Sequence, residues 1–434
     1  MSTTPLTLSF AGQQPPIALP QVPGTRGPVG VDMRGLNQSG FCSYDPGFAN
    51  TAGCQSAISW IDTENSVLLH RGYPVDQLAR QCDFLEVAYI MLNGDAPDEA
   101  SYQTFRETIT RHTLVHEQIA RMCSGFRRDS HPMALMCALV GALAAFYHDV
   151  LDVENPQHRA LAATRLLSKM PTIAAMSYKY TIEQPAAYPR NDLSYAGNFL
   201  QMLFAIPAEK YVLNPVIEQA MNQILVLHAD HGQCASTTTV RAAGSSGANL
   251  FACVAAGLAS LWGPMHGGAN ESSMRMLEEI ESVDQVPAFL RQAKRDPQAF
   301  RRLGFGNSRY RHRDPRADIL RETSHRVLAE VGMSDRLLQV AMALEDVALT
   351  DPYFVENGLS PSVDFYTAVI LKAMNLPSSM FAVVTAVGRT VGWVAHWNEM
   401  HQAPLTIYRP RQIYVGEEYR DYVSRRSEQP TGSR

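Results

Sequence analysis

The run Pro264-Met265-His266-Gly267-Gly268-Ala269-Asn270 places an imidazole in a glycine-rich turn directly ahead of a helix expected over 271–280. Glycines let backbone and ligand approach closely, and the start of a helix favours negative charge nearby. His266 is therefore a candidate proton donor or acceptor beside an anion, although the same spacing suits a plain turn with an incidental histidine. Asp364 opens the run Phe365, Tyr366, Ala368, Val369, Ile370, Leu371 and reads first as a helix N-cap that accepts backbone N–H bonds. With its other oxygen facing a pocket, the same carboxylate would serve as a base. Arg389 interrupts the apolar pattern Phe381, Val383, Val384, Ala386, Val387, Val391, Trp393, Val394, and a buried guanidinium requires an anion, of which a substrate carboxylate is one kind. Arg316 follows Asp314-Pro315, and Arg409 and Arg411 flank Pro410 in an extended segment. Each is either a solvated or ion-paired arginine, the commoner fate, or a further fork for a di- or tricarboxylate.

His228 and His231 in His228-Ala229-Asp230-His231 have the spacing of a metal pair, but no cysteine or further carboxylate cluster completes a zinc shell. They are expected in the core or against a ligand, and no metal is expected. There is no GxGxxG after a strand, no P-loop and no GxSxG elbow, and Gly304-Phe305-Gly306 is too little for a nucleotide motif.

The elements that must hold these residues are mostly helical. Residues 1–66 are rich in breakers (Pro15, Pro16, Pro20, Pro23, Gly24, Gly27, Gly30), which predicts short strands and turns. From Pro74 onward the apolar spacing turns helical. Asn214 can cap and Pro215 suits a first helical position, so a helix over 214–228 delivers His228 at its buried end. The small-residue stretch 235–262 predicts a closely packed helix hairpin stopped by Gly263-Pro264, and a further apolar helix is expected over 380–397. A charged, less apolar region over 278–351 suggests an inserted second domain, and the polar tail from Ser424 is expected to fray.

Composition bounds the remaining choices. A chain of 434 residues is long enough for two to three cooperating domains. Lys+Arg of 37 against Asp+Glu of 42 gives 37 − 42 = −5 with no basic stripe, which argues against nucleic acid as a partner. The run Leu250 to Trp262 is too short to span a bilayer, so a soluble protein without a membrane partner is expected. Seven cysteines form an odd set with no CxxC spacing, and the N-terminus MSTTPLTLSF has neither a signal-peptide nor a transit-peptide pattern. Reduced thiols and a cytoplasmic location are expected.

Taken together, the motifs resemble the citrate synthase family, and within it the bacterial hexameric type. The resemblance runs from Asp45-Pro46-Gly47-Phe48 and Leu69-His70-Arg71-Gly72 through Arg127-Arg128-Asp129-Ser130-His131-Pro132-Met133 to Arg409-Pro410-Arg411-Gln412. Its most specific blocks are LHADHGQCAST at 227–237, LWGPMHGGANES at 261–272, VDFYTAVILKAM at 363–374 and RTVGWVAHW at 389–397. The resemblance implies a mainly α, two-domain fold: an N-terminal β-containing segment over 1–66, a large helical domain over 67–280 and 385–434, and a small helical domain over 281–384. It implies condensation of acetyl-CoA with oxaloacetate and hydrolysis of citryl-CoA to citrate and CoA, an acyltransferase reaction of the tricarboxylic acid cycle with no cofactor or metal. Asp364 would then take the methyl proton, His266 would hydrogen-bond the thioester oxygen, and His228, Arg316 and Arg389 would hold the carboxylates. Arg409 would arrive from a neighbouring subunit of a homo-oligomer, a dimer or a hexamer built as a trimer of dimers. Arg311 would contact coenzyme A phosphates.

One position departs from the family pattern. Similar enzymes carry a carbonyl-polarising histidine where this chain has Asn307, in the run Gly304-Phe305-Gly306-Asn307-Ser308-Arg309-Tyr310-Arg311-His312-Arg313. An amide can donate a hydrogen bond but cannot carry positive charge. Loss of one such donor typically costs roughly 10²- to 10³-fold in rate, so a weakened one costs about that or less. A specialised paralogue is the reading this favours. The alternatives are a related synthase for another 2-oxo acid or acyl-CoA, for example one like 2-methylcitrate synthase, or a catalytically weak regulatory homologue. Arg111, His112, Thr113, Tyr147, Arg165 and Lys169 match the pattern of an allosteric NADH site, whereas Ala208 stands where some relatives place a reactive cysteine. The i, i+4 pair Arg165 and Lys169 would alternatively be a solvated basic face or a subunit contact.

Overall fold

The structure is a computed structural model that describes residues 4–10, 15–295, 304–305, 310, 313–332 and 336–422. The chain divides into two units. The smaller comprises residues 1–23, 29–52 and 408–434. In it, β1 (Leu6–Leu8) pairs antiparallel with β2 (Ile17–Leu19), so that Leu6 faces Leu19 across the ladder, and β3 (Gln21–Val22) pairs with β4 (Gly30–Val31). Leu19 and Leu36 are buried, and a 3₁₀ turn, Met33–Gln38, is capped by Asp32. These are the short N-terminal strands that the density of breakers anticipates.

The larger unit, 24–28 with 53–407, opens on a three-stranded antiparallel sheet of β5 (Ser59–Asp62), β6 (Val67–His70) and β7 (Tyr73–Pro74). Among the described residues, its remaining regular elements are helices. The helices that build or border the site are α1 (Pro132–Phe146), α2 (Pro156–Thr181), α3 (Pro215–His228), α4 (Ala235–Gly244), α5 (Leu250–Leu261), α6 (Ala269–Glu279), α7 (Pro315–Val331), α8 (Val363–Ala373) and α9 (Phe381–Met400). Helix α3 starts as the sequence predicts, with Asn214 Oδ1 accepting from Val216 N at 2.9 Å and Ile217 N at 3.3 Å. Asp314 likewise caps α7 through Arg316 N at 3.0 Å. Helices α4 and α5 form the expected hairpin, and α5 also packs on α1.

Helix α9 is apolar on every side because every side is covered. It is long and apolar enough to cross a membrane by length and composition, yet 89 % of that window is buried inside the protein. Burial of side chains such as Trp393, Trp397 and Val391 contributes about 1.5–3 kcal/mol each for large apolar groups. Its glycines explain how it reaches α3. A Cβ at Gly388 would lie 2.8 Å from Leu225 O, and one at Gly392 would lie 2.4 Å from Ala229 O and 2.6 Å from Asp230 Oδ1. One face of α9 therefore presses bare backbone against the end of α3, and Arg389, between those glycines, is carried into the same contact.

Asp364 is not the cap of its helix, as the sequence suggests. Ser362 holds that position, its Oγ accepting from Asp364 N at 3.2 Å and Phe365 N at 3.4 Å. The reason is local: a serine two residues earlier satisfies the orphan N–H groups, which leaves the aspartate in the first turn with its carboxylate unspent.

Candidate active site

Seven short segments of the larger unit converge on one cluster. The end of α3 supplies His228, the start of α4 supplies Cys234 and Ser236, and the turn after α5 supplies His266. Helix α6 adds Asn270, α7 adds Asp314 and Arg316, and the starts of α8 and the middle of α9 add Asp364 and Arg389.

Asp364 is half-buried, and burial pushes its carboxyl pKa up; Arg316 opposes this, Asp314 adds to it, and His266 and Arg389 oppose it further. The Asn270 amide is itself fully buried. With its nitrogen turned to the aspartate it donates to Asp364 Oδ1 at 2.7 Å and to the Asp364 carbonyl at 3.0 Å, while its oxygen accepts from Thr385 Oγ1 at 3.2 Å. The opposite orientation would set acceptor against acceptor. The carboxylate is thus held in one direction by a neutral donor, in surroundings that favour taking up a proton.

His266 is held by Ser236, whose Oγ lies 2.8 Å from Nε2. That Oγ already accepts from Trp393 Nε1 at 3.2 Å, so its own hydrogen is free to be given to His266 Nε2 or to Cys234 Sγ at 3.4 Å. When the imidazole nitrogen receives it, Nδ1 carries the ring hydrogen and becomes the donor toward a ligand.

The cationic side is equally ordered. Arg316 grips Asp314 through Nε to Oδ1 at 2.9 Å and Nη2 to Oδ2 at 2.7 Å, with Nη1 reaching Leu227 O at 3.3 Å. Burial lowers the pKa of this guanidinium, but the Asp314 pair outweighs it and the net shift is upward. Arg389 is buried as expected and donates from Nε to His228 O at 2.7 Å and from Nη1 to Cys234 Sγ at 3.2 Å. His228 Nδ1 meets Ile224 O at 2.8 Å, and because a carbonyl only accepts, Nδ1 holds the hydrogen. Its Nε2 is buried without a partner, and burial together with Arg316 pushes its pKa down to about 3. The cluster therefore offers a positioned base, an aligned imidazole and two buried guanidinium groups.

The model of the citrate synthase C-terminal domain family matches residues 47–411, most of the chain. The chain belongs to the citrate synthase family. Solved relatives agree with that membership. The citrate synthase of Pyrobaculum aerophilum is 31 % identical, with 87 % of this chain and 94 % of that one covered at a TM-score of 0.80. That of Thermotoga maritima MSB8 is 28 % identical over 88 % and 99 % of the two chains, TM-score 0.74. The enzyme of the thermophilic archaeon Thermoplasma acidophilum, solved as a ternary complex with carboxymethyl coenzyme A and oxaloacetate, is 26 % identical over 89 % and 100 %, TM-score 0.80. The mainly helical citrate synthase fold with short N-terminal strands follows, and citrate synthase-type function is what the family and these neighbours support.

Of the residues singled out from the sequence, His228, His266, Arg316, Asp364 and Arg389 come together in this citrate synthase cluster. Asn307 and Arg311 lie outside the described residues. Arg409 lies exposed in an irregular stretch of the smaller unit. His231 is buried with Nε2 3.1 Å from Tyr310 Oη.

The residues of the NADH pattern gather around the middle of α2, at Arg165 and Lys169, but their charges are largely engaged. Arg165 forms two bonds to Asp149 at 2.8 and 3.0 Å, and its guanidinium lies 4.7 Å over the Tyr147 ring. Lys169, expected on a solvated face in the alternative reading, is instead buried, with Nζ bound to His112 O and to Leu114 O at 2.8 Å. Burial and Arg165 push its pKa down to about 8. Arg111 pairs with Glu107 at 3.2 Å and, with Thr113, lines a cleft of about 340 Å³ beside Arg190. A second cleft of about 560 Å³, between Arg80, Gln219 and Arg326, shares no residue with the cluster described above.

Sequence reasoning missed Asn270, Ser236, Cys234, Asp314 and Trp393. Asp314 had a signal, since an Asp-Pro pair reads as N-cap and N1. Ser236 and Cys234 sit in a small-residue stretch that reads as close packing, and nothing in their spacing distinguishes them.

Proposed function

We propose that the protein condenses the methyl carbon of acetyl-CoA with the ketone of oxaloacetate and hydrolyses the resulting thioester, releasing citrate and CoA. The carrying observation is the Asp364 carboxylate, oriented by Asn270 and raised in pKa by burial, in the same cluster as His266 and two buried arginines. Asp364 removes a methyl proton, and a base of raised pKa is better matched to a weak carbon acid near neutral pH. His266 donates from Nδ1 to the thioester oxygen as negative charge develops there, so the nucleophile is generated without a metal. Arg316, Arg389 and His228 hold the carboxylates of the oxo acid. The ternary complex named for the Thermoplasma acidophilum relative supports this pairing of a coenzyme A thioester with oxaloacetate. Arg311 is assigned to coenzyme A phosphates, Arg409 to the site of a neighbouring subunit in a dimer or hexamer, and Asn307 to the ketone oxygen. The Arg111, Arg165 and Lys169 region is assigned to NADH inhibition, in a cytoplasmic enzyme without a cofactor of its own.

A second reading, a specialised synthase for another 2-oxo acid or acyl-CoA, is favoured by Asn307 in the histidine position of the family. Steady-state kinetics of the native protein beside Asn307→His separates the two. Brisk native turnover with acetyl-CoA and oxaloacetate, little improved by the substitution, supports the first. A gain toward roughly 10²-fold in the variant, with another oxo acid turned over well by the native chain, supports the second. No turnover of any acyl-CoA and oxo-acid pair by either form overturns both.

A further inference from the structure

Arg389 is 4 % exposed, and a cation so far out of water needs an anion beside it. Among the described residues its side-chain hydrogen bonds reach no carboxylate; they go to a backbone carbonyl and to Cys234 Sγ. That sulfur has one fixed donor, Arg389 Nη1, and two hydroxyls within hydrogen-bond distance, of which Ser236 has a single hydrogen to share between the sulfur and His266. Besides Arg389 Nη1 at 3.2 Å, Thr237 Oγ1 lies at 3.3 Å and Ser236 Oγ at 3.4 Å. Cys234 is also the N-cap residue of α4, where the unpaired N–H groups of the first turn favour negative charge. A neutral thiol is a weak acceptor, whereas a thiolate gives this guanidinium the hydrogen-bonded anion that Asp230 and Asp364, which act on it without a hydrogen bond, do not supply.

We propose that Cys234 is the resting counter-ion of Arg389, a thiolate that occupies the anion position of the empty site and that an incoming substrate carboxylate must displace. This rests on the assignment of Arg389 to a substrate carboxylate. The exchange balances with one proton: the carboxylate takes the guanidinium, the thiolate takes a proton from solvent, and no bond to carbon forms or breaks. Burial by itself raises the Cys234 pKa, but Arg389, and after it His266 and Ser236, outweigh it and hold the thiol well below its ordinary value. The charged and titratable groups around the pair are Arg389 from α9 and His266 from the turn after α5. Asp364 from α8, Asp230 after α3 and His228 at the end of α3 act through Arg389. His228 is the rival proton acceptor, because its Nε2 is buried and unpaired.

The experiment has two arms. Absorbance near 240 nm followed through a pH titration, native protein minus Cys234→Ser, reads the thiolate without any ligand. A step well below the value of about 8.5 for a free thiol is expected, and a step at or above it overturns the pairing whatever the substrate is. Calorimetric titration with oxaloacetate in two buffers of different ionisation heat reads proton uptake. About one proton per site is expected for the native protein and about none for Cys234→Ser, with native affinity falling about tenfold per pH unit above the thiol pKa and the variant staying flat. Equal uptake in both forms assigns the proton to His228 and overturns the displacement. If Cys234→Ser does not fold, the native protein decides alone: no uptake overturns the proposal. A clear thiolate step with no oxaloacetate binding overturns the oxo-acid reading, and the displacement with it.

Discussion

Replacing Asn270 by alanine tests whether Asp364 is a tuned base or only a buried acid. The amide donates at 2.7 Å to Oδ1, the one side-chain donor to this carboxylate among the described residues. A hydrogen bond to a charged group contributes about 1.5–3 kcal/mol, and one pKa unit corresponds to about 1.4 kcal/mol, so its loss should raise the Asp364 pKa by a further one to two units, roughly. The sign follows from the charge. The donor favours the ionised form, the base must be ionised to accept the methyl proton, and activity is lost as pH falls through its pKa. The acid limb of kcat/KM should therefore move up by about one to two units in Asn270→Ala, with a deficit that is largest at low pH and shrinks as pH rises. A thiol-release assay with acetyl-CoA and oxaloacetate across the pH range measures it. Thr385→Val, which removes only the far bond of the amide, should move the limb less. An acid limb that stays in place while the rate drops by one factor at every pH would refute the reasoning and reduce Asn270 to a packing residue.

Two further outcomes follow from the geometry. Asp364→Asn should gain thermal stability relative to the native protein as pH rises. Burial sets the folded pKa above the unfolded value of 3.8, so the contribution of this carboxyl to stability is full below that value and is lost as pH climbs through the folded pKa. Melting temperatures taken near pH 4 and near pH 8 check it, and an equal difference at both contradicts it. Gly392→Ala should destabilise by up to about 2 kcal/mol, because the new methyl would meet Ala229 O at 2.4 Å and an overpacking cost at the upper end of about 1–3 kcal/mol outweighs the gain of about 1 kcal/mol that alanine brings to a helix. Denaturant midpoints measure it, and activity should fall with it because Arg389 is carried on the same stretch of α9.

Much of the fold was legible because its signals are local. Asn214-Pro215 starts α3, Gly263-Pro264 ends the hairpin, and an apolar run interrupted by Arg389 marks α9. The residues of the cluster whose chemistry announces itself, His266, Asp364 and Arg389, were legible for the same reason: a charged or titratable group in an apolar or glycine-rich setting stands out. What was not legible depends on contacts between distant segments. Asn270 is one amide among small residues until α8 brings Asp364 against it, and Ser236 is one hydroxyl among several until α9 lays Trp393 over it. Ser362 displaced Asp364 as the cap because capping is a competition between neighbours, decided by backbone geometry that composition does not encode.

The two buried arginines of the cluster both hold an anion of the chain itself, but not in the same way. Asp314 is two residues from Arg316, caps the same helix and binds it bidentately, so the pair moves as one body and Asp314 acts to aim the guanidinium. What Arg316 has to offer a ligand is Nη1, committed only to a long 3.3 Å bond with Leu227 O. Cys234 comes to Arg389 from a different helix through a single 3.2 Å contact, and a thiolate that accepts one bond from a fork is a weaker partner than a bidentate carboxylate. An incoming dicarboxylate therefore meets one arginine that keeps its partner and one that exchanges it. Its affinity is set less by how many cations line the pocket than by the difference between its own carboxylate and the sulfur it replaces. Because that difference includes a proton, oxo-acid affinity should depend on pH through Cys234, separately from the dependence of turnover on Asp364.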